Sequence, residues 1–174
     1  IESPTLQGGG LYNDYGQGFY CTKHIDLAKE WAVSTDRDGF VNHYQLNTES
    51  LKVLNLNSEP FSILHWLTIL LDHRVVDFSS PIALDGFAYL KNHYDVNLSK
   101  YDVILGYRAD DSYFSFARAF LLNTITVEQL EKSMYLGELG EQYFLKSKKA
   151  FSQLIFQDFS FVNHEEFYPL REKR

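Results

Sequence analysis

The stretch GQGFYCTKHIDLAKEWA, Gly16 to Ala32, decides the reading of this chain. A Gly-x-Gly turn leads into a short strand over residues 18–22, because Phe19, Tyr20 and Thr22 are residue types that favour extended backbone. A helix follows over residues 25–34, with Ile25, Ala28 and Trp31 or Ala32 on one face. Asp26 falls in its first turn, where a negative charge favours the helix dipole. Tyr20 on the strand and Trp31 on the helix are eleven residues apart. A strand and helix folded against each other can turn both rings toward one cleft. Two aromatic faces so placed clamp a flat heterocycle at little entropic cost. The same rings also serve as ordinary core, and the segment alone leaves both uses open.

Working outward, the 174 residues fit one domain with a sizeable core. A hydrophobic share of 45% with 22% charged residues is globular rather than disordered. The net charge of −7 argues against a generic electrostatic grip on duplex nucleic acid. No run approaches the ~18 apolar residues of a membrane span. Ile1-Glu2-Ser3-Pro4 lacks the charged start and apolar stretch of a signal peptide. The single cysteine, Cys21, excludes an internal disulfide or a cysteine-based zinc site and fits a reducing cytoplasm. No metal-ligand spacing stands out, so no metal is expected.

Strands are predicted over residues 40–46, 52–56 and 101–106, the last a buried hydrophobic run. Helices are predicted over residues 60–75, from Pro81 through Tyr94, over residues 112–120, and from the Thr126–Gln129 capping box to about Met134. Strands over residues 143–146 and 151–156 are expected to be joined by a solvated, Lys-rich hairpin turn. The charged tail from His164 reads as frayed or as a partner-facing helix.

A second informative segment is LGELGEQYFLKS, Leu136 to Ser147. Glu141 follows a glycine where loop becomes strand, so its carboxylate can enter a cleft and meet a developing cation. Glu138 and Glu141 can equally be solvated turn charges. Arg108-Ala109-Asp110-Asp111 follows the buried strand and reads either as a cleft lining or as an Arg–Asp network capping the next helix.

GFYCT followed by LAKEWA, then YDVILGYRADDSYF, then LGELGEQYFLKSKKAF, resembles a bacterial family, domain of unknown function 3990, over nearly the whole chain. That family in turn resembles ADP-ribosyltransferases of the diphtheria-toxin and poly-ADP-ribose-polymerase type. The resemblance implies an α+β fold, a split β-sandwich flanked by helices, with NAD as co-substrate in the cleft and no metal. It implies that Tyr20 and Trp31 sandwich nicotinamide and that Glu141 stabilises the ribosyl cation. It extends the cofactor contacts to Gly18, Thr22 and Asp14, and makes Arg108, Asp110 and Asp111 possible acceptor or phosphate contacts. It implies a mono-ADP-ribosyltransferase acting as a bacterial toxin, paired with an antitoxin or other neutralising protein. The alternative is a non-catalytic nucleotide-binding or interaction module of the same fold. The superfamily's Tyr-His-Gly motif is absent from this chain; the family places it a little upstream of where this sequence starts.

Overall fold

A computed structural model describes residues 4–76, 80–109, 111–136 and 140–173, without the side chains of 111–113 and 134–136. The fold is mixed α+β, with two sheets and seven α-helices among the described residues. The strand order of the larger sheet is β1 (Phe19–Cys21), β5 (Glu141–Leu145), β4 (Val103–Tyr107) and β3 (Val53–Asn55). Its pairings are antiparallel except β3 with β4. The smaller sheet pairs β2 (Gly39–Leu46) antiparallel with β6 (Leu154–Val162).

Each face of the larger sheet is covered. On one face lie α2 (Ile63–His73), α3 (Pro81–Tyr94), α4 (Asp111–Leu121) and α5 (Val127–Leu136), with Trp66, Leu67 and Leu70 packed around Ile104 and Phe144. Against the other face a smaller apolar layer reaches the second sheet: Phe19, Val103 and Leu145 meet Leu46 and Leu154. Strands buried on both faces are apolar at successive positions, as Val103-Ile104 and Phe144-Leu145 are.

The expected elements form, with two corrections. The Lys-rich stretch is not a hairpin turn but a helix, α6 (Lys148–Ser152). Ser147 Oγ accepts from the Ala150 amide at 3.0 Å and caps it, and Ala150 is fully buried. The strands on either side therefore enter different sheets, and the second runs from Leu154 to Val162 instead of 151–156. Of the two readings of the tail the helix forms, seated on its own chain rather than frayed: α7 (His164–Glu172) packs Phe167 against Val33, Val41 and Val162. Asp38 receives the backbone N–H of His164 at 2.8 Å and holds the start of this helix. It thereby seats α7 beside α1 (Ile25–Ala32).

Candidate functional site

Gly16 opens the strand that leads to the site. Its φ of +92° belongs to the left-handed region, where glycine carries no steric cost. Two residues on, the chain entering β1 runs so close to β5 that a Cβ on Gly18 would collide with the Phe144 ring and the Leu145 carbonyl. Gly18 therefore serves strand packing. Tyr20 then pairs across the ladder with Phe144, their ring centroids 4.7 Å apart. Its hydroxyl donates to the Gly16 carbonyl at 2.7 Å and accepts from the Tyr15 amide at 3.0 Å. Burial raises the phenol well above its ordinary pKa, so the ring stays neutral.

Tyr20 and Trp31 line one cleft of about 300 Å³, together with Asn13, Asp14, Gln142 and three arginines: Arg74, Arg108 and Arg171. The Arg108 guanidinium lies over the Trp31 ring, 5.1 Å from its centroid. Trp31 Nε1 is buried without a hydrogen-bond partner among the described residues. A buried donor in that state favours an acceptor arriving beside it. Within a chain of net charge −7, the described lining carries three guanidiniums against the single carboxylate of Asp14. This is a local anion-attracting field.

Asp14 organises the cleft floor. Its Oδ1 accepts from Arg74 Nε at 3.0 Å and Nη2 at 2.8 Å. Its Oδ2 accepts from the Ala109 amide and from Gln142 Nε2, each at 2.9 Å. Both oxygens are thus committed to protein donors, and Asp14 orients its neighbours where a ligand contact was expected. Gln142 Nε2 also meets the Tyr107 carbonyl at 3.2 Å. Its donors used, Gln142 has its side-chain carbonyl left as an acceptor with no protein donor among the described residues.

The structure does not bring Glu141 to this cleft. Side chains alternate along a strand, and Phe144 faces Tyr20, so Gln142 shares that face while Glu141 and Tyr143 take the other. Glu141 Oε1 accepts from Asn57 Nδ2 at 2.6 Å, beyond the far edge of β4. Thr22 is not part of the arginine-bearing lining but shares a neighbouring cleft of about 220 Å³ with Tyr20 and Trp31; its hydroxyl donates to the Glu141 carbonyl at 3.1 Å and ties β1 to β5. Glu138 and Asp110 fall outside the described residues, as does the side chain of Asp111, which begins α4. Sequence reasoning missed Gln142, Arg74 and Arg171. None of the three had a local signal: β5 is covered on both faces, so parity along it does not mark Gln142, and the two arginines lie far along the chain from Tyr20.

The histidines play structural or surface parts. His65 Nδ1 accepts the Ser62 amide and closes the capping box of α2; His164 sits on Asp38. Cys21 is raised to about 12 by burial and carries no thiolate at neutral pH. Among the described residues no helix is long and apolar enough to cross a membrane.

No curated protein and no solved structure matches the chain. A family model does, over residues 1–156, and by that match the chain belongs to the family described as Protein of unknown function (DUF3990).

Proposed function

We propose that the cleft binds NAD and that the chain is a mono-ADP-ribosyltransferase, releasing nicotinamide as it transfers ADP-ribose. The observation that carries this reading is the convergence of Tyr20 and Trp31 on one cleft that also holds guanidiniums. Aromatic faces suit the nicotinamide, and guanidiniums suit the diphosphate. The two sheets that meet across an apolar layer agree with the split β-sandwich that the resemblance implies. In the transfer, the bond from the ribose anomeric carbon to the nicotinamide nitrogen breaks, and its electron pair leaves with nicotinamide. The acceptor's oxygen or nitrogen forms the new bond and gives its proton to solvent. The chain's part is to stack the leaving ring, exclude water and hold the ribose. On the cleft face the group suited to a ribose hydroxyl is the carbonyl of Gln142, fixed by Asp14.

A second reading, a nucleotide-binding module without turnover, is favoured by that same residue. The cleft-facing position of β5 is an amide, and a neutral amide stabilises a ribosyl cation less than a carboxylate does. NAD calorimetry combined with nicotinamide release, in the presence of candidate protein and nucleic-acid acceptors, separates the two. Binding with release supports the transferase; binding without release supports the module; failure to bind NAD removes the transferase, and failure to bind ADP as well removes the module. Trp31→Ala should weaken NAD binding about ten-fold, the worth of one stacked ring. Gln142→Ala should lower release while Glu141→Ala leaves it intact, and the reverse pattern would refute the cleft assignment. Toxicity and a neutralising partner belong to this proposal as well. Growth arrest on induced expression, abolished by Trp31→Ala, would support them.

A further inference from the structure

The three cleft arginines are not equivalent. Arg74 is neutralised by the two-point contact with Asp14, and its Nη2 also donates to the Ala109 carbonyl at 2.9 Å. Arg108 is stacked over Trp31. Arg171 donates from Nη1 to the Val33 carbonyl at 2.9 Å, and no carboxylate faces it among the described residues. One of its five N–H donors is thus used by the protein and holds the fork at the cleft wall. The remaining donors have no protein acceptor among the described residues, and the side chain lines the cleft while keeping access to solvent.

Arg171 belongs to α7, which lies beyond the residues 1–156 matched by the family model. The helix is seated independently of any ligand. Phe167 is buried against Val33 and Val41, Lys29 Nζ sits 4.8 Å from the Phe167 ring centroid, and Asp38 anchors His164. An arginine in the last turn of a helix fixed in this way is preorganised, so little side-chain entropy remains to be lost when it binds.

We propose that Arg171 is a specificity-determining residue that grips a phosphoryl oxygen of a diphosphate-bearing ligand. The family's cleft is thereby completed in this chain by a helix outside the matched region. A guanidinium offers two parallel N–H groups to phosphate oxygens, a contact that a nucleoside lacking phosphates cannot make. The assignment rests on the nucleotide reading of the cleft, but it does not depend on turnover or on NAD in particular.

Calorimetry with four probes tests it: NAD, ADP, inorganic pyrophosphate and nicotinamide riboside, against wild type, Arg171→Gln and Arg171→Lys. Glutamine keeps an amide donor for the Val33 carbonyl while removing the charge, and thermal unfolding checks that α7 stays in place. Arg171→Gln should weaken NAD, ADP and pyrophosphate about ten-fold or more, the worth of a charge-assisted hydrogen bond. Nicotinamide riboside should be unaffected, and lysine should restore part of the loss. The wild-type affinity for ADP should fall with added salt more steeply than that of Arg171→Gln. Equal binding of the phosphate probes by wild type and Arg171→Gln, or a parallel loss for nicotinamide riboside, would overturn the assignment. So would wild-type indifference to ADP and pyrophosphate. If wild type binds ADP and pyrophosphate through Arg171 but ignores NAD, the Arg171 assignment stands and the NAD reading fails.

Discussion

Replacing Asp14 by alanine should cost this fold more than any other single change at the cleft. The carboxylate is buried, with its residue 5% exposed, and it receives four hydrogen bonds from three other segments of the chain. Removing one member of a buried ion pair costs about 3–5 kcal/mol, because the partner's charge is left uncompensated. The Arg74 side chain is 23% exposed, so water relieves part of that cost and the lower end applies. The Ala109 amide then loses its acceptor, which adds about 1 kcal/mol. The sum, about 4 kcal/mol, is a large share of the 5–15 kcal/mol typical of a folded domain. For a chain of this length it should lower the unfolding temperature by about 8–16 °C. Urea unfolding followed by tryptophan fluorescence reads this directly, since Trp66 lies in the main core with 1% exposure. Asp14→Asn keeps the shape and one acceptor oxygen and should lose roughly half as much. The double variant Asp14→Leu with Arg74→Met should be more stable than Asp14→Leu alone, because it leaves no unpaired buried charge. A loss below about 1 kcal/mol for Asp14→Ala, far under the cost of breaking a buried pair, would refute the reasoning.

Two further outcomes follow from titrating groups. Cys21, with its thiol raised to about 12 by burial, should resist iodoacetamide in the native protein at pH 8 and react promptly in urea; fast native alkylation would contradict its burial. His65 has its pKa lowered, first by burial, and its Nδ1 must stay unprotonated to accept the Ser62 amide. The unfolded chain therefore takes up the proton first, so this contribution is complete above the ordinary histidine pKa of ~6.5 and is lost as pH falls below it. Midpoints of urea unfolding between pH 7.5 and 5 should decline in wild type, with that component missing in His65→Gln; identical slopes would remove His65 from the account.

Much of the architecture was legible because it is written in local patterns. The Ile63–Leu71 stripe, the alternation from Phe40 and the apolar run at Val103 each settle their own element. That Tyr20 and Trp31 could line one cleft was legible for the same reason, since eleven residues of strand and helix bring them to the same side. The hub at Asp14 was not legible. Its partners lie 60, 95 and 128 residues away, and a turn-rich run around an aspartate carries no mark of such contacts. The helix at Lys148 was hidden because its fixing contact is the burial of Ala150 in the layer between the sheets. The tail was hidden likewise: α7 is mostly polar, and the face that seats it amounts to Phe167 and Tyr168.

The choice between Glu141 and Gln142 shows how one strand position decides the chemistry. On a strand with one wet face, polarity alone gives the register, and a slip of one residue is visible. β5 is covered on both faces, with Tyr143, Phe144 and Leu145 all apolar or aromatic, so parity carries no such mark. Three dimensions supply it through the ring contact of Tyr20 with Phe144. That contact assigns the amide to the cleft and the carboxylate to Asn57. Nor are the two interchangeable. Gln142 donates to Asp14 and to the Tyr107 carbonyl, whereas a glutamate there would set a second carboxylate 2.9 Å from the first and leave both acceptors without that donor. The buried aspartate therefore demands an amide at position 142. Among the described lining residues, Asp14 is the carboxylate whose charge could balance a cation formed in this cleft, and a bound ligand's own phosphates are a second source.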